Sequence, residues 1–428
     1  MRSFIFLFSV LTFSTLEAAP LSLREAVQIA LKNSPSLDSK RRDLNISQYK
    51  VEDKFAQFLP QLGFKSEHGL DHTVPRRHHN DWRSQAEIEL LEKLYDSGRS
   101  QSQYSIAKLQ RESTDIALSE QRDLLILNVI LQFLQVSLKT SLVEGAENKH
   151  KAAKKQFDFT NDVFRQGLKR RSDVMRFKAQ MERSELAFEQ SKVDLALAIS
   201  SLKVVLGKNS DEAIEFAPFD IEKDGTSFAS LIKSSPVILE DYYSVRRLTA
   251  NKKVQEEKLD LARSVNTPEI NLRSSIKYRA ENYIGTRSSW DDRGWNYFVG
   301  IEVNIPIWDW GINKRNILSN SEQLYQKEND IRAERNSLSD KVTTVHKNLA
   351  LAEKSYMLIR DLVKIEQDNY TQLDLEYKTA KVSVLDLITA TDNLATANTA
   401  LLQTLYDKIG FQAQLLFYQG RIYDWTHL

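Results

Sequence analysis

Two eleven-residue segments carry the groups best placed for chemistry. Phe164-Arg-Gln-Gly167-Leu168-Lys169-Arg170-Arg171-Ser172-Asp173-Val174 and Tyr377-Lys-Thr-Ala380-Lys381-Val382-Ser383-Val384-Leu385-Asp386-Leu387 share one pattern: an aromatic, a small residue three places on, an aspartate nine places on, then an aliphatic. The chemistry on offer is that of a hydrogen-bonded carboxylate. Asp173 and Asp386 are placed to cap the helices that follow, accepting from free N–H groups. Of the two aromatics only Tyr377 has a hydroxyl that could donate to a carboxylate; otherwise both are packing residues. His68, His72, His78 and His79 cluster with Arg76 and Arg77. Imidazole is a common metal ligand, but no acidic pattern fixes this spacing, so a solvated loop is expected and no metal site. Zero cysteines exclude disulfides, thiolate catalysis and Cys-ligated metals. With no nucleophile elbow, phosphate-binding loop or HExxH helix, neither an enzyme nor a cofactor is expected. A net charge of +1 gives no case for nucleic acid.

The elements that hold these segments are long helices. Helical pattern runs from Arg99 to about Arg165 and again from Ile312 to about Tyr377, on the order of 100 Å each at 1.5 Å per residue. Asp173–Leu206 and Asp386–Tyr418 would return antiparallel on them as coiled coils. The most apolar stretch, Leu124–Leu138, reads as a membrane helix or as a packed helix interior. Its interruptions at Asn128, Gln132 and Gln135 favour packing. The corresponding Ser337–Leu351 is far more polar.

A different period appears before each long helix. Tyr297, Val299, Ile301, Val303, Ile305 and Ile307 alternate with residues that include Glu302 and Asn304, and Ala86, Ile88 and Leu90 alternate with Gln85, Glu87 and Glu89. Leu62–Leu70 and Ile270–Tyr278 alternate likewise. These are strands with one oily and one polar face, each about ten residues, the length of a tilted membrane strand. Trp290 and Trp295 at one end of the last strand and Trp308 and Trp310 at the other would form interfacial girdles. Four strands cannot close a barrel, and open edges in lipid leave backbone groups unpaired. Three copies would supply twelve.

The pattern is used twice. Asp96/Asp309, Gly98/Gly311, Phe164/Tyr377, Asp173/Asp386 and Gly207/Gly420 are each 213 positions apart, and Asp309 is the expected N-cap of its helix. Residues 1–18 read as a signal peptide with cleavage before Ala19, 19–207 as the first repeat, 208–227 as a polar connector and 228–428 as the second repeat.

These residues resemble the TolC family of outer-membrane factors, and the two turn motifs are the most specific part of the resemblance. It implies a mainly helical fold with membrane β: a homotrimer with four strands per chain in a twelve-stranded barrel, continued by antiparallel coiled-coil helices. It also implies an outer-membrane location in a Gram-negative bacterium, and a passive conduit serving an inner-membrane transporter and its periplasmic adaptor in efflux or type I secretion. By position, the family's gate tyrosine is Tyr377, its aspartate partner Asp173 and an acidic ring Asp386. The adaptor would face Gly167, Leu168, Ala380 and Lys381. Three positions depart from the family pattern: Ala380 replaces the turn glycine, Val382 a basic residue, and Thr389 a second acid. A periplasmic adaptor or a structural coiled-coil protein are the competing readings; the alternating strands and the doubled architecture argue against them.

Overall fold

The computed structural model describes residues 20–71, 81–209, 214, 216–217, 219, 226–232, 239–283, 292–379 and 381–426. The expected signal peptide, His72, His78, His79, Arg76, Arg77, Trp290, Ala380 and most of the connector lie outside them.

Helices α1 (Leu23–Asn33) and α2 (Pro35–Ala56) come first, broken at Ser34. The break has a local cause, since proline lacks an N–H and disfavours helical backbone in the residue before it. Strands β1 (Gln61–Asp71) and β2 (Asp81–Tyr95) follow, then α3 (Arg99–Arg165) and α4 (Arg171–Val205). After α5 (Thr226–Leu231) the order returns: α6 (Tyr243–Arg263), β3 (Glu269–Tyr283), β4 (Asp292–Asn304), α7 (Ile312–Lys378), α8 (Val384–Tyr418) and a short α9 (Ile422–Trp425). The repeat is kept residue for residue in the long hairpins. Helices α3 and α7 both have 67 residues, and α4 and α8 both have 35.

Backbone strain repeats too. Ser97 and Trp310 have φ of 56° and 55°, and Gly98 and Gly311 of 82° and 75°. These left-handed pairs turn the chain from strand into helix. At each turn an aspartate collects the free N–H groups of the new helix: Asp96 Oδ2 accepts from Ser100 N at 2.8 Å. Asp309 accepts from Gly311 N at 2.9 Å and Asn313 N at 2.8 Å. The aspartate thus acts from just outside the helix rather than at its strict N-cap.

The chain divides into two compact units. In the unit made of Ser36–Gln121 and Ile238–Asp340, the four strands form one antiparallel sheet in the order β1-β2-β3-β4. The strands have 11, 15, 15 and 13 residues, longer than expected, because ladder pairing continues past the alternating apolar residues. Only β4 ends early: Ile305 and Ile307 extend the alternation but not the strand. Beside the sheet, α6 binds α3 through Ser113 and Asn251 at 3.0 Å and α7 through Lys252 and Glu328 at 3.0 Å.

The other unit comprises Met1–Pro35, Arg122–Val237 and Lys341–Leu428. Its core encloses the apolar stretch of α3: Ile126, Val129, Ile130 and Phe133 are buried. Phe133 meets Phe216 edge-on at 6.2 Å, and Leu131 lies against Gly410 of α8. This is the packed interior rather than a membrane helix, although α3 is long and apolar enough to cross one by composition. The polar counterpart in α7 is explained by its surroundings. Of residues 337–351, only Leu338 and Val345 are buried, so that segment has little apolar contact to satisfy.

Candidate functional site

The two turn motifs lie at the hairpin ends of the second unit. Helix α3 ends with Gly167 in the left-handed region at φ 78°. Gly167 N–H donates to Phe164 O at 2.8 Å and Leu168 N–H to Val163 O at 3.1 Å, a Schellman termination. In α7 the corresponding Lys381 N–H donates to Glu376 O at 2.9 Å. Leu168 and Lys381 are exposed at the turns.

Neither aspartate is an N-cap, which corrects the sequence reading. Both occupy the third position of their helices, and the cap residues are Arg170 and Ser383. At the second hairpin this makes a reciprocal capping box. Ser383 Oγ accepts from Asp386 N at 3.3 Å, and Asp386 Oδ2 accepts from Ser383 N at 3.1 Å and Ser383 Oγ at 2.7 Å. The Ser383 bonds hold the exposed Asp386 carboxyl below its usual pKa. Arg170 makes no side-chain cap bond, and Asp173 is half-buried.

Tyr377 is buried, whereas Phe164 is about one-third exposed at 36%. Its ring joins a small core of Phe177, Val384 and Leu387, against which Phe157, Tyr370, Leu373, Val382 and Ile388 pack. Phe177 meets the ring edge at 5.7 Å between centroids. The hydroxyl lies 3.3 Å from Thr160 Oγ1, and the Lys169 ammonium stands 4.2 Å from the ring centroid. The Tyr377 to Asp173 bond that the resemblance implies is therefore not the one formed. Packing on Phe177 directs the phenol to Thr160 on α3. Thr160, Phe177 and Lys169 were not singled out from sequence. Phe177 had a signal in its spacing of three from Val174, a shared helix face; Lys169 had one as the repeat counterpart of Val382.

On the sheet, pairing aligns Phe64, Ile88, Ile276 and Tyr297 in one row and Leu62, Leu90, Ser274 and Val299 in the next. The alternate face carries Lys65, Glu87, Lys277 and Asn296 in one row. There Arg273 pairs with Glu89 and, at 3.9 Å, with Glu87. Exposed Trp295 stands on the apolar face and contacts Tyr278 at 5.0 Å; it lies inside β4 rather than at its end. Trp308 and Trp310, past the strand's other end, are exposed and meet edge-on at 5.7 Å. His68 bridges Ser66 and Ser84 at 2.9 and 3.0 Å. Among the described residues no cluster of three or more His, Asp or Glu could hold a metal.

A sheet with one oily and one charged face, on a chain dominated by long antiparallel helices, defines a membrane channel subunit rather than an enzyme. The chain belongs to the outer membrane efflux protein family, whose model matches residues 26–208 and 238–421, and it is an outer-membrane protein of Gram-negative type. It is 21% identical to outer membrane protein TolC of Escherichia coli strain K12, covering 92% of this chain and 81% of that protein. It is 22% identical to outer membrane efflux protein BepC of Brucella suis, covering 94% and 86%. Among solved structures, VceC of Vibrio cholerae superposes with a TM-score of 0.81 at 14% identity, over 93% of this chain and 96% of that one. MtrE of Neisseria gonorrhoeae, solved in an open state, gives 0.75 at 16% identity, over 94% and 89%.

Proposed function

We propose that three copies of this chain close a twelve-stranded barrel and act as a passive conduit across periplasm and outer membrane. It receives substrate from an inner-membrane transporter through a periplasmic adaptor, in efflux or type I secretion. The observation that carries this reading is the sheet: an apolar face beside a charged one, ending in two unpaired edge strands, β1 and β4. In lipid those edges need partners, and a head-to-tail ring of copies provides them. Exposed apolar residues at heptad-like spacing support the same assembly, Leu186, Val193, Leu197 and Val204 on α4 and Leu351, Leu358, Leu362 and Ile365 on α7.

The barrel's aromatics at the lipid interface are Trp295, Trp308 and Trp310. The turns at Gly167, Leu168 and Lys381 face the adaptor. The hairpin ends form the gate, with Tyr377 as its closing aromatic, Asp173 on the first hairpin and Asp386 supplying a ring of carboxylates. Fractionation and native mass spectrometry test the assembly: a trimer extracted from outer membranes is expected, and a monomer stable without detergent overturns it.

A further inference from the structure

We infer that Lys169 of the first hairpin is the cation that holds the gate closed, acting through the face of Tyr377; this rests on the gate reading above. Tyr377 is gripped from three directions by the first hairpin alone. Thr160 meets its hydroxyl at 3.3 Å, Phe177 meets its edge at 5.7 Å, and the Lys169 ammonium stands 4.2 Å from its ring centroid. All three partners belong to α3, α4 or the turn between them, while Tyr377 lies in the last turn of α7. The clamp therefore joins the two hairpins, and a movement that parts them must break it.

The repeat shows that this grip is one-sided. Position 213 after Lys169 is Val382, which packs against the Tyr377 core, and position 213 after Thr160 is Leu373. Phe164, the counterpart of Tyr377, is 36% exposed and outside that core. The second hairpin thus provides a ring and apolar surface, and the first provides the donor groups and the charge. An ammonium at this distance over a buried aromatic is held by the ring quadrupole, more strongly as the pair loses water. Lysine is suited to a releasable contact, because its flexible stem lets the head group swing into solvent when the hairpins part.

The test uses the purified full-length protein in planar bilayers, with Lys169→Met, Lys169→Arg and Tyr377→Leu. Lys169→Met keeps stem volume and removes the charge; mean conductance is expected to rise at least about fivefold, the population shift from losing one such contact, since a trimer loses three. Lys169→Arg should stay near wild type, because guanidinium also sits on aromatic faces. Tyr377→Leu should open the channel at least as far, and the double variant Lys169→Met/Tyr377→Leu no further. Unchanged conductance in Lys169→Met beside an opened Tyr377→Leu overturns the role of Lys169 and leaves the gate. Unchanged conductance in both overturns the gate itself. If Lys169→Met lowers oligomer yield, Lys169→Gln is read in its place.

Discussion

At the residue scale, the two hairpins differ by one cap. Asp173 and Asp386 sit at equivalent helical positions, but only Ser383 can close a capping box; Arg170 stands in the matching place. Arg170→Ser should therefore build the missing box with Asp173 and stabilise the first hairpin by about 1 kcal/mol, read as protection of the α3–α4 turn from limited proteolysis. The existing box is pH-sensitive in one direction. Because the folded Asp386 pKa lies below its unfolded value, the box contributes fully above about pH 4. That contribution is lost as pH falls through the folded value. Protection factors at the first turn of α8, corrected for the intrinsic pH dependence of amide exchange, should fall below about pH 4 and hold steady above it. The same carboxylate tests the proposed ring. Asp386→Asn keeps an acceptor for Ser383 and should leave folding intact, while lowering cation selectivity and relieving block by trivalent cations in bilayers. Unaltered selectivity in a folded variant would reduce Asp386 to its helical role.

At the element scale, glycines that end helices differ in how replaceable they are. Gly207 and Gly420 end α4 and α8 with φ of 69° and 66°. A Cβ at Gly420 meets nothing within 4 Å, whereas one at Gly207 would lie 2.7 Å from the Asn33 carbonyl oxygen. Gly420→Ala should cost about 1 kcal/mol for the left-handed backbone. Gly207→Ala should cost at least about twice that, since Asn33 backbone must also move; thermal unfolding of the two variants checks the order. These turns, like the long helices, were legible because glycine and proline are scarce and fall at repeat-related places. Strand ends were less so: ladder bonds are made by backbone, and they carry β2 and β3 beyond the alternating side chains. The hydroxyl partner of Tyr377, Thr160, was illegible, because which hydroxyl meets which depends on how α3 and α4 pack against α7. The Asp386 cap was half-visible, since Ser383 stands three residues before an acid, but the aspartate itself was read as the cap.

At the scale of the whole molecule, the sheet decides what the chain can be. An isolated four-stranded sheet in water would hide its oily face, yet Phe64, Tyr297, Val299 and Ile301 are all exposed. The opposite face carries Lys65, Glu87, Glu89, Arg273 and Lys277 in neighbouring rows, and β2 and β3 neutralise one another there through Arg273. Lipid on one side and water on the other satisfies both faces at once; a soluble sheet would satisfy only the second. The two sides can be separated by placing the same charge on each. Val299 lies in the oily row with Leu62, Leu90 and Ser274, and Asn296 in the charged row with Lys65, Glu87 and Lys277. Val299→Arg should cost roughly 2–4 kcal/mol if that row lies near the bilayer midplane and sharply lower the heat-resistant oligomer recovered from outer membranes. Asn296→Arg should assemble at wild-type yield and change only ion selectivity, because its side chain meets water. Equal yields from the two variants would mean that lipid does not touch the Val299 face, and the barrel would then have to be abandoned along with the conduit built on it.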